Sequence, residues 1–281
     1  LEAARAGEDH VITGYRDHVH AIKCGADPKE VMAELYGKET GSSKGRGGSM
    51  HIFDVKHHFY GGYALVGGPF PLAAGLAKGI KMKGGDEIAI CFLGDAANNQ
   101  GTFHEALNIS ALWELPVLFV CENNLYGIGT RIDRSTAVTE QYKRVCGYDI
   151  PAEQADGQDI DVVFKAAKKA IKHVRSGKGP YFLELMTYRY RGHSMSDSNA
   201  YRSKDEEADW SKRDPILILK NRLIKAGELT EAAYKKMDKK IIDEIENEVI
   251  KFAEESPEPV VEELEKYVWA GNDPYVRGGP N

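Results

Sequence analysis

The sequence predicts an α/β fold: a parallel sheet flanked by helices, with a helical extension at the C-terminal end. Three observations support this. Short apolar runs rich in β-branched and aromatic residues occur at Glu87–Leu93, Pro116–Cys121 and Tyr181–Tyr188, as expected of strands buried on both faces. Segments of helical periodicity lie between them, so the strands are joined by crossovers and run parallel. Beyond residue 204 the pattern turns to charged helices, so residues 1–281 read as one domain with 204–281 as its extension.

In chain order, the first expected element is an amphipathic helix around Val11–Ile22, ending near Gly25 and containing Tyr15 and Arg16. Asp27-Pro28 opens a short helix to Leu35, with Val31, Met32 and Leu35 on its apolar face. Gly37–Gly68 is crowded with Gly, Ser, Lys and His. A loop that long inside a compact domain is expected to be functional or disordered, and its glycines allow backbone to approach a ligand closely. Pro71–Lys81 reads as a helix in which Gly75 and Gly79, one turn apart, permit close packing, with a second subunit as one candidate.

The stretch from Glu87 to Gly129 organises the rest. Its first strand ends at Gly94, helix Thr102–Leu115 is stopped by Pro116, and a second strand follows, which makes a βαβ unit with a right-handed crossover. The two strand ends then lie side by side at the carboxyl edge of the sheet, where open α/β folds bind ligands. One end carries Asp95 and the other Asn123 and Asn124. Either half alone reads as an ordinary cap or turn. Together they bring a carboxylate and a carboxamide oxygen onto rigid strand ends, which suits Mg²⁺, an ion that completes its octahedron with phosphate oxygens and water. A diphosphate ligand is implied.

Ile160–Val174 is an amphipathic helix whose lysines form its wet face, and Gly177–Pro180 turns the chain into the strand Tyr181–Tyr188. The polar run Tyr188–Asp197 follows that strand directly, so it too belongs at the carboxyl edge, and His193 is its candidate for chemistry. Asp214–Ala226 and Thr230–Glu255 are helices, the second a surface helix with an apolar stripe through Met237, Ile241, Ile245 and Phe252. Glu258–Trp269 is expected to add a short helix, and Asp273–Asn281 an extended tail offering Tyr275 and Arg277 to a subunit contact.

A charged content of 28% with a net charge of −6 argues against nucleic acid or an anionic membrane as partner. No apolar run approaches the roughly 20 residues needed to span a bilayer, and no signal-peptide pattern opens the chain, so it reads as soluble and intracellular. Cys24, Cys91, Cys121 and Cys146 show no paired spacing and read as reduced core thiols.

Gly94-Asp95 followed by Asn123-Asn124 resembles the thiamine-diphosphate signature, Gly-Asp-Gly and later Asn-Asn. The longer runs GDAANNQGTFHEALNISALWELPVLFVCENNLYGIGT, GRGGSMHIF and YRYRGHSMSD resemble the alpha subunits of the two-subunit pyruvate dehydrogenase first component, in the 2-oxo acid dehydrogenase family, over nearly the whole chain. The resemblance implies a thiamine-diphosphate-binding fold with thiamine diphosphate and Mg²⁺ as cofactors. It implies oxidative decarboxylation of pyruvate with acetyl transfer to a lipoyl protein. Its implied partners are a beta subunit, in an α2β2 heterotetramer, and a lipoyl-bearing acyltransferase. Branched-chain 2-oxo acid and acetoin dehydrogenase alpha subunits share most of this text and are the alternatives.

The resemblance also assigns residues. Asp95, Asn124 and the backbone carbonyl of Tyr126 would hold the metal; Tyr15 and Arg16 would meet the diphosphate; Val66 would hold the aminopyrimidine ring through main chain and shape. Ala96 and Ala97 follow Asp95 in the cofactor loop, and His193 would contact the diphosphate and handle protons of substrate or lipoyl thiol. His51 falls beside the active site without an assigned proton role, while His57 and His58 read as solvated. Ser194 matches a serine phosphorylated in mitochondrial relatives. Ala96 stands where the signature has Gly, which is tolerable only at negative φ. No glutamate suited to activating the aminopyrimidine is found, in keeping with its supply by the beta subunit.

The family normally has an earlier segment, so a processed or trimmed product is expected, from the cytoplasm of a bacterium or, alternatively, the mitochondrial matrix. A non-catalytic nucleotide- or phosphate-binding protein on a similar sheet would show a Gly-rich loop opening a helix after the first strand and an acid about 20 positions on. Neither pattern is present.

Overall fold

Every residue from Ile88 to Leu93 is buried, and their side chains alternate between two separate cores: Ala89, Cys91 and Leu93 on one side, Ile88, Ile90 and Phe92 on the other. This is the two-faced burial expected of a central parallel strand. The computed structural model, which describes residues 1–263 and 266–267, places this strand in a six-stranded sheet. The strands are β1 (His10–Gly14), β2 (Phe59–Tyr63), β3 (Ala89–Gly94), β4 (Val117–Asn123), β7 (Ala152–Asp156) and β8 (Tyr181–Met186), while β5 (Tyr126–Gly127) and β6 (Thr130–Arg131) form a separate small hairpin. The order across the sheet is β2-β1-β3-β4-β8-β7, and every pairing is parallel.

Helices cover both faces. On one, α3 (Pro69–Lys83) and α4 (Gly101–Leu112) bring Phe70, Ala73, Ala77, Phe103 and Leu107 against Cys91, Phe119 and Phe182. On the other, α1 (His18–Cys24), α2 (Pro28–Leu35) and α6 (Ile160–Arg175) bring Ala21, Val31, Ala170 and Val174 against Ile90, Leu118 and Leu183. The α2 start is as expected, with the Asp27 side chain capping the Lys29 amide at 2.9 Å and Pro28 in the first turn. A short α5 (Gln141–Arg144) precedes β7. Cys24, Cys91 and Cys121 are free and buried, and Cys146 is free but exposed.

Three strands of the six-stranded sheet escape the sequence pattern. The helix expected around Val11–Ile22 is instead β1 followed by α1, so Tyr15 and Arg16 lie in the turn between a strand and a helix. Val11, Ile12, Val19 and Ile22 happen to match helical spacing, but pairing with Phe59 and Ile90 holds Val11 extended. β2 lies inside the long Gly-rich stretch. Its glycines answer to packing, since a Cβ on Gly61 would fall 2.3 Å from the Phe53 ring and one on Gly62 1.9 Å from the Asp17 carboxylate. β7 (AEQAD) is a polar edge strand located by its pairing with β8 rather than by its own composition.

After β8 come α7 (Lys204–Ser211), α8 (Pro215–Lys225), α9 (Glu231–Glu244) and α10 (Ile250–Glu255), the last two joined through a wider turn at Ile245–Val249. Val249 and Ala253 are buried, α10 packs on α2, and the Thr40 hydroxyl meets that of Ser256 at 2.7 Å, so the end of the surface helix is anchored to the domain. Of the expected helix at Glu258–Trp269 only one turn, Val261–Glu263, is helical among the described residues; residues 258–260 lie outside any helix, while 264–265, 268–269 and the whole Asp273–Asn281 tail lie outside the described residues. Gly75 and Gly79 face open space, so no packing among the described residues accounts for them. Among the described residues no helix is long and apolar enough to cross a membrane.

Candidate active site

The chain leaves β1 for β2 on one side and later for β3 on the other, so the sheet reverses its winding between β1 and β3. A crevice opens at the carboxyl ends of strands that part in this way. Thr13 pairs with Phe92, which sets Tyr15 and Arg16, just past β1, beside Gly94, the last residue of β3, and Asp95, just past it. A small cleft here is lined by Gly14, Arg16, Val66, Gly94, Ala97 and Asn124, among others. It adjoins a larger one of about 870 Å³ that shares Tyr15, Arg16 and Val66 and adds Ser49, Met50 and His193. Tyr15, Arg16, Val66, Ala97, Asn124 and His193 are therefore brought to one place from five separate loops.

Asp95 is 2% exposed, and its carboxylate accepts the Asn124 backbone amide at 3.3 Å. Burial pushes its carboxyl up to about 6, with the neighbouring Glu184 adding and Arg189 opposing. The Asn124 side-chain oxygen accepts the Tyr126 amide at 3.2 Å, and the Tyr126 carbonyl accepts a long contact of 3.4 Å from Arg189. Asn123 points elsewhere: its amide nitrogen donates to Glu184 at 2.6 Å and its oxygen accepts from Leu125 at 3.0 Å, so both ends are structural.

A buried carboxylate without a cation is costly; the Asn124 amide meets Asp95, and the Asn124 carboxamide and Tyr126 carbonyl, within two residues of that contact, would complete an all-oxygen donor set. Among the described residues no cluster of three His, Cys, Asp or Glu is placed to hold a metal. The set at Asp95 thus fits a hard divalent ion that takes its other ligands from phosphate and water.

Ala96 is not among the residues with positive φ, so the methyl is tolerated as expected. Its side chain turns toward Gly127, where an added Cβ would lie 2.6 Å from it, and any contact with a cofactor falls to its main chain.

Arg16, Tyr15 and His193 form one cluster. The Arg16 Nη2 lies 3.2 Å from His193 Nδ1, and the Tyr15 ring meets the imidazole edge-on at 5.8 Å. Guanidinium only donates, so Nδ1 accepts and the proton of neutral His193 sits on Nε2. Burial, then the charges of Arg16 and Arg189, hold His193 below the usual histidine range. Its loop is pinned by Arg202, whose side chain is fully buried, donates to the Arg189 and Arg191 carbonyls and lies over the Tyr188 ring. Ser194 is exposed on the same loop.

His51, half-buried, lies 3.0 Å from the Gly62 carbonyl through Nδ1. His57 and His58 are not simply solvated as expected. The first pairs with Asp54 at 2.5 Å and the second with the Glu8 carbonyl at 2.8 Å.

Several site residues went unread in the sequence. Glu122 lines the small cleft and lies 3.2 Å from His20 Nε2, while His20 Nδ1 faces the Arg16 carbonyl at 3.1 Å. Both partners are acceptors, so both ring nitrogens donate and His20 is charged. Glu184, fully buried in β8, accepts from Asn123, Tyr142 and Gln154 and so fixes the end of β4. The available signal was an acid placed inside an otherwise apolar strand, at Glu122 and again at Glu184.

Known proteins resemble the chain over most of its length. The sequence model of the family described as Dehydrogenase E1 component matches residues 1–262. Pyruvate dehydrogenase E1 component subunit alpha of Rhizobium meliloti is 48% identical over 94% of this chain and 76% of its own length. The Zymomonas mobilis protein of the same name is 47% identical over 96% and 77%. The mitochondrial somatic form from Homo sapiens is 44% identical over all of this chain and 71% of its own.

Proposed function

Because the chain belongs to the dehydrogenase E1 component family, which depends on thiamine diphosphate, we propose that it is the alpha subunit of a pyruvate dehydrogenase, acting with a beta subunit and passing acetyl to a lipoyl-bearing acyltransferase. The observation that carries this reading is the meeting of Asp95 and Asn124 at the crevice that also holds Arg16 and His193. Bound there, thiamine diphosphate supplies the ring that accepts the electron pair when a 2-oxo acid loses carbon dioxide.

The chain's own residues do the holding. Asp95, the Asn124 side chain and the Tyr126 carbonyl bind Mg²⁺, and Arg16 grips the diphosphate oxygens through its paired donors. Val66 shapes the cleft beside them. His193, neutral and carrying its proton on Nε2, is a group able to donate or take up a proton at the larger cleft. The relatives named for pyruvate support pyruvate over branched-chain acids or acetoin. Bacterial and mitochondrial relatives alike support a compartment that is cytoplasmic or the matrix.

The test is a steady-state assay of the chain assembled with its beta subunit. Pyruvate is expected to show a kcat/KM at least about tenfold above branched-chain 2-oxo acids, the discrimination a few pocket contacts supply. Preference for a branched-chain acid or acetoin would overturn the substrate assignment.

A further inference from the structure

The Gly-rich segment carries Ser49 and Met50 into the wall of the larger cleft, yet between Lys38 and Ile52 its only regular element is one turn at Gly48–Met50. A carboxylate gives it shape. Glu34, in the last turn of α2, is fully buried, and its two oxygens accept four main-chain amides of this segment. Oε2 takes Ser43 at 2.8 Å and Gly45 at 2.9 Å; Oε1 takes Gly47 at 2.7 Å and Gly48 at 3.0 Å. Successive amides converging on an anion form a nest of the kind that binds phosphate elsewhere, here filled by the chain's own side chain.

The glycines follow from this. A Cβ on Gly41 would fall 2.3 Å from the Glu34 carboxylate, one on Gly45 2.4 Å from the Gly37 carbonyl oxygen, and Gly45 holds a φ of 72°. At its far end the segment meets a second carboxylate. Asp17, fully buried and next to Arg16, accepts the Ile52 amide at 3.0 Å. Between these two anchors the Ser49 carbonyl lies 2.9 Å from His18 Nε2.

We propose that Glu34 is a positioning residue for the cleft: it moulds the Gly-rich segment as an internal anion does and so sets Ser49 and Met50 in the wall they share with His193. This rests on the reading of the cleft as the reaction site. Glu34 touches nothing in the cleft, and the diphosphate and metal are assigned to Arg16, Asp95, Asn124 and Tyr126, which leave the sheet strands independently of it. Its effect therefore falls on turnover more than on cofactor retention.

The test is Glu34→Gln in the full chain assembled with its beta subunit. Glutamine offers one acceptor oxygen and turns an NH2 group toward amides that need acceptors. Amide hydrogen exchange at residues 43, 45, 47 and 48 is slow in the wild-type chain and becomes about tenfold faster or more in the variant, while the β3 and β4 amides hold. The kcat falls about tenfold, with thiamine diphosphate affinity within about threefold of wild type.

Fast exchange of these four amides in the wild type overturns the proposal even if the variant fails to fold. Unchanged exchange in the variant, or looser exchange with unchanged kcat, overturns it as well. If the wild-type pair turns over no 2-oxo acid at all, the functional reading fails, and the moulding of the segment by Glu34 is decided by exchange alone.

Discussion

The Asn124 amide donates to the Asp95 carboxylate at 3.3 Å, just beyond the last paired residues of β3 and β4, Gly94 and Glu122. Two positions distant in the chain are thus held within one hydrogen bond by the register of buried strands. The cost of this placement is borne by Asp95, whose charge is withdrawn from water in the metal-free chain.

Asp95→Asn should therefore stabilise the metal-free chain while removing its grip on metal. The folded carboxyl titrates near 6 against an ordinary 3.8, so the stability linked to it is fully present below the ordinary value and is lost as the pH rises through about 6. Removing the charge is worth at most about 3 kcal/mol at pH 7. Thermal unfolding of both proteins at pH 4 and pH 7 checks this; a melting gain for the variant confined to pH 7 is expected.

Arg16→Gln should shift His193 toward the usual histidine range, because it removes one of the charges that depress it, though burial remains. Stability linked to His193 is present above its ordinary value of 6.5 and lost as the pH falls below it. NMR titration of the imidazole is expected to show an upward move in the variant. Loss of the charged hydrogen bonds should also weaken diphosphate binding by about ten- to a hundredfold.

The His20–Glu122 pair gives the opposite sign. Burial acts to lower His20, but attraction to Glu122 outweighs it and the histidine is raised. Its contribution is fully present below 6.5 and is lost as the pH rises through the folded value. Glu122→Gln should cost about 1 kcal/mol near pH 6, a figure kept low because the Glu122 side chain is 38% exposed and screened by water. Urea unfolding against pH should show a flatter dependence in the variant.

The centre of the fold was legible because burial on both faces writes itself into composition: β3 is apolar along its length, and β4 and β8 are apolar apart from Glu122, Asn123 and Glu184. With them came the edge on which Asp95 and Asn124 meet. β1 was hidden by five residues whose apolar positions also fit a helix, and β7 by a polar edge that needs only β8 beside it. Tyr15 and Arg16 line the cleft from the turn between β1 and α1 rather than from the expected helix, because a five-residue strand and a helical turn share the same apolar spacing there. Glu34 and Glu122 were missed because their partners are main-chain amides and a distant histidine, contacts that leave no mark in local spacing.

The most direct measurement is calorimetric titration of thiamine diphosphate into the chain assembled with its beta subunit, with and without Mg²⁺, in wild type and Asp95→Ala. Binding is expected only with Mg²⁺ and only in the wild type, the variant being weaker by about a hundredfold or more while its circular dichroism is unchanged. Metal-independent binding, or wild-type affinity in Asp95→Ala, would contradict the account.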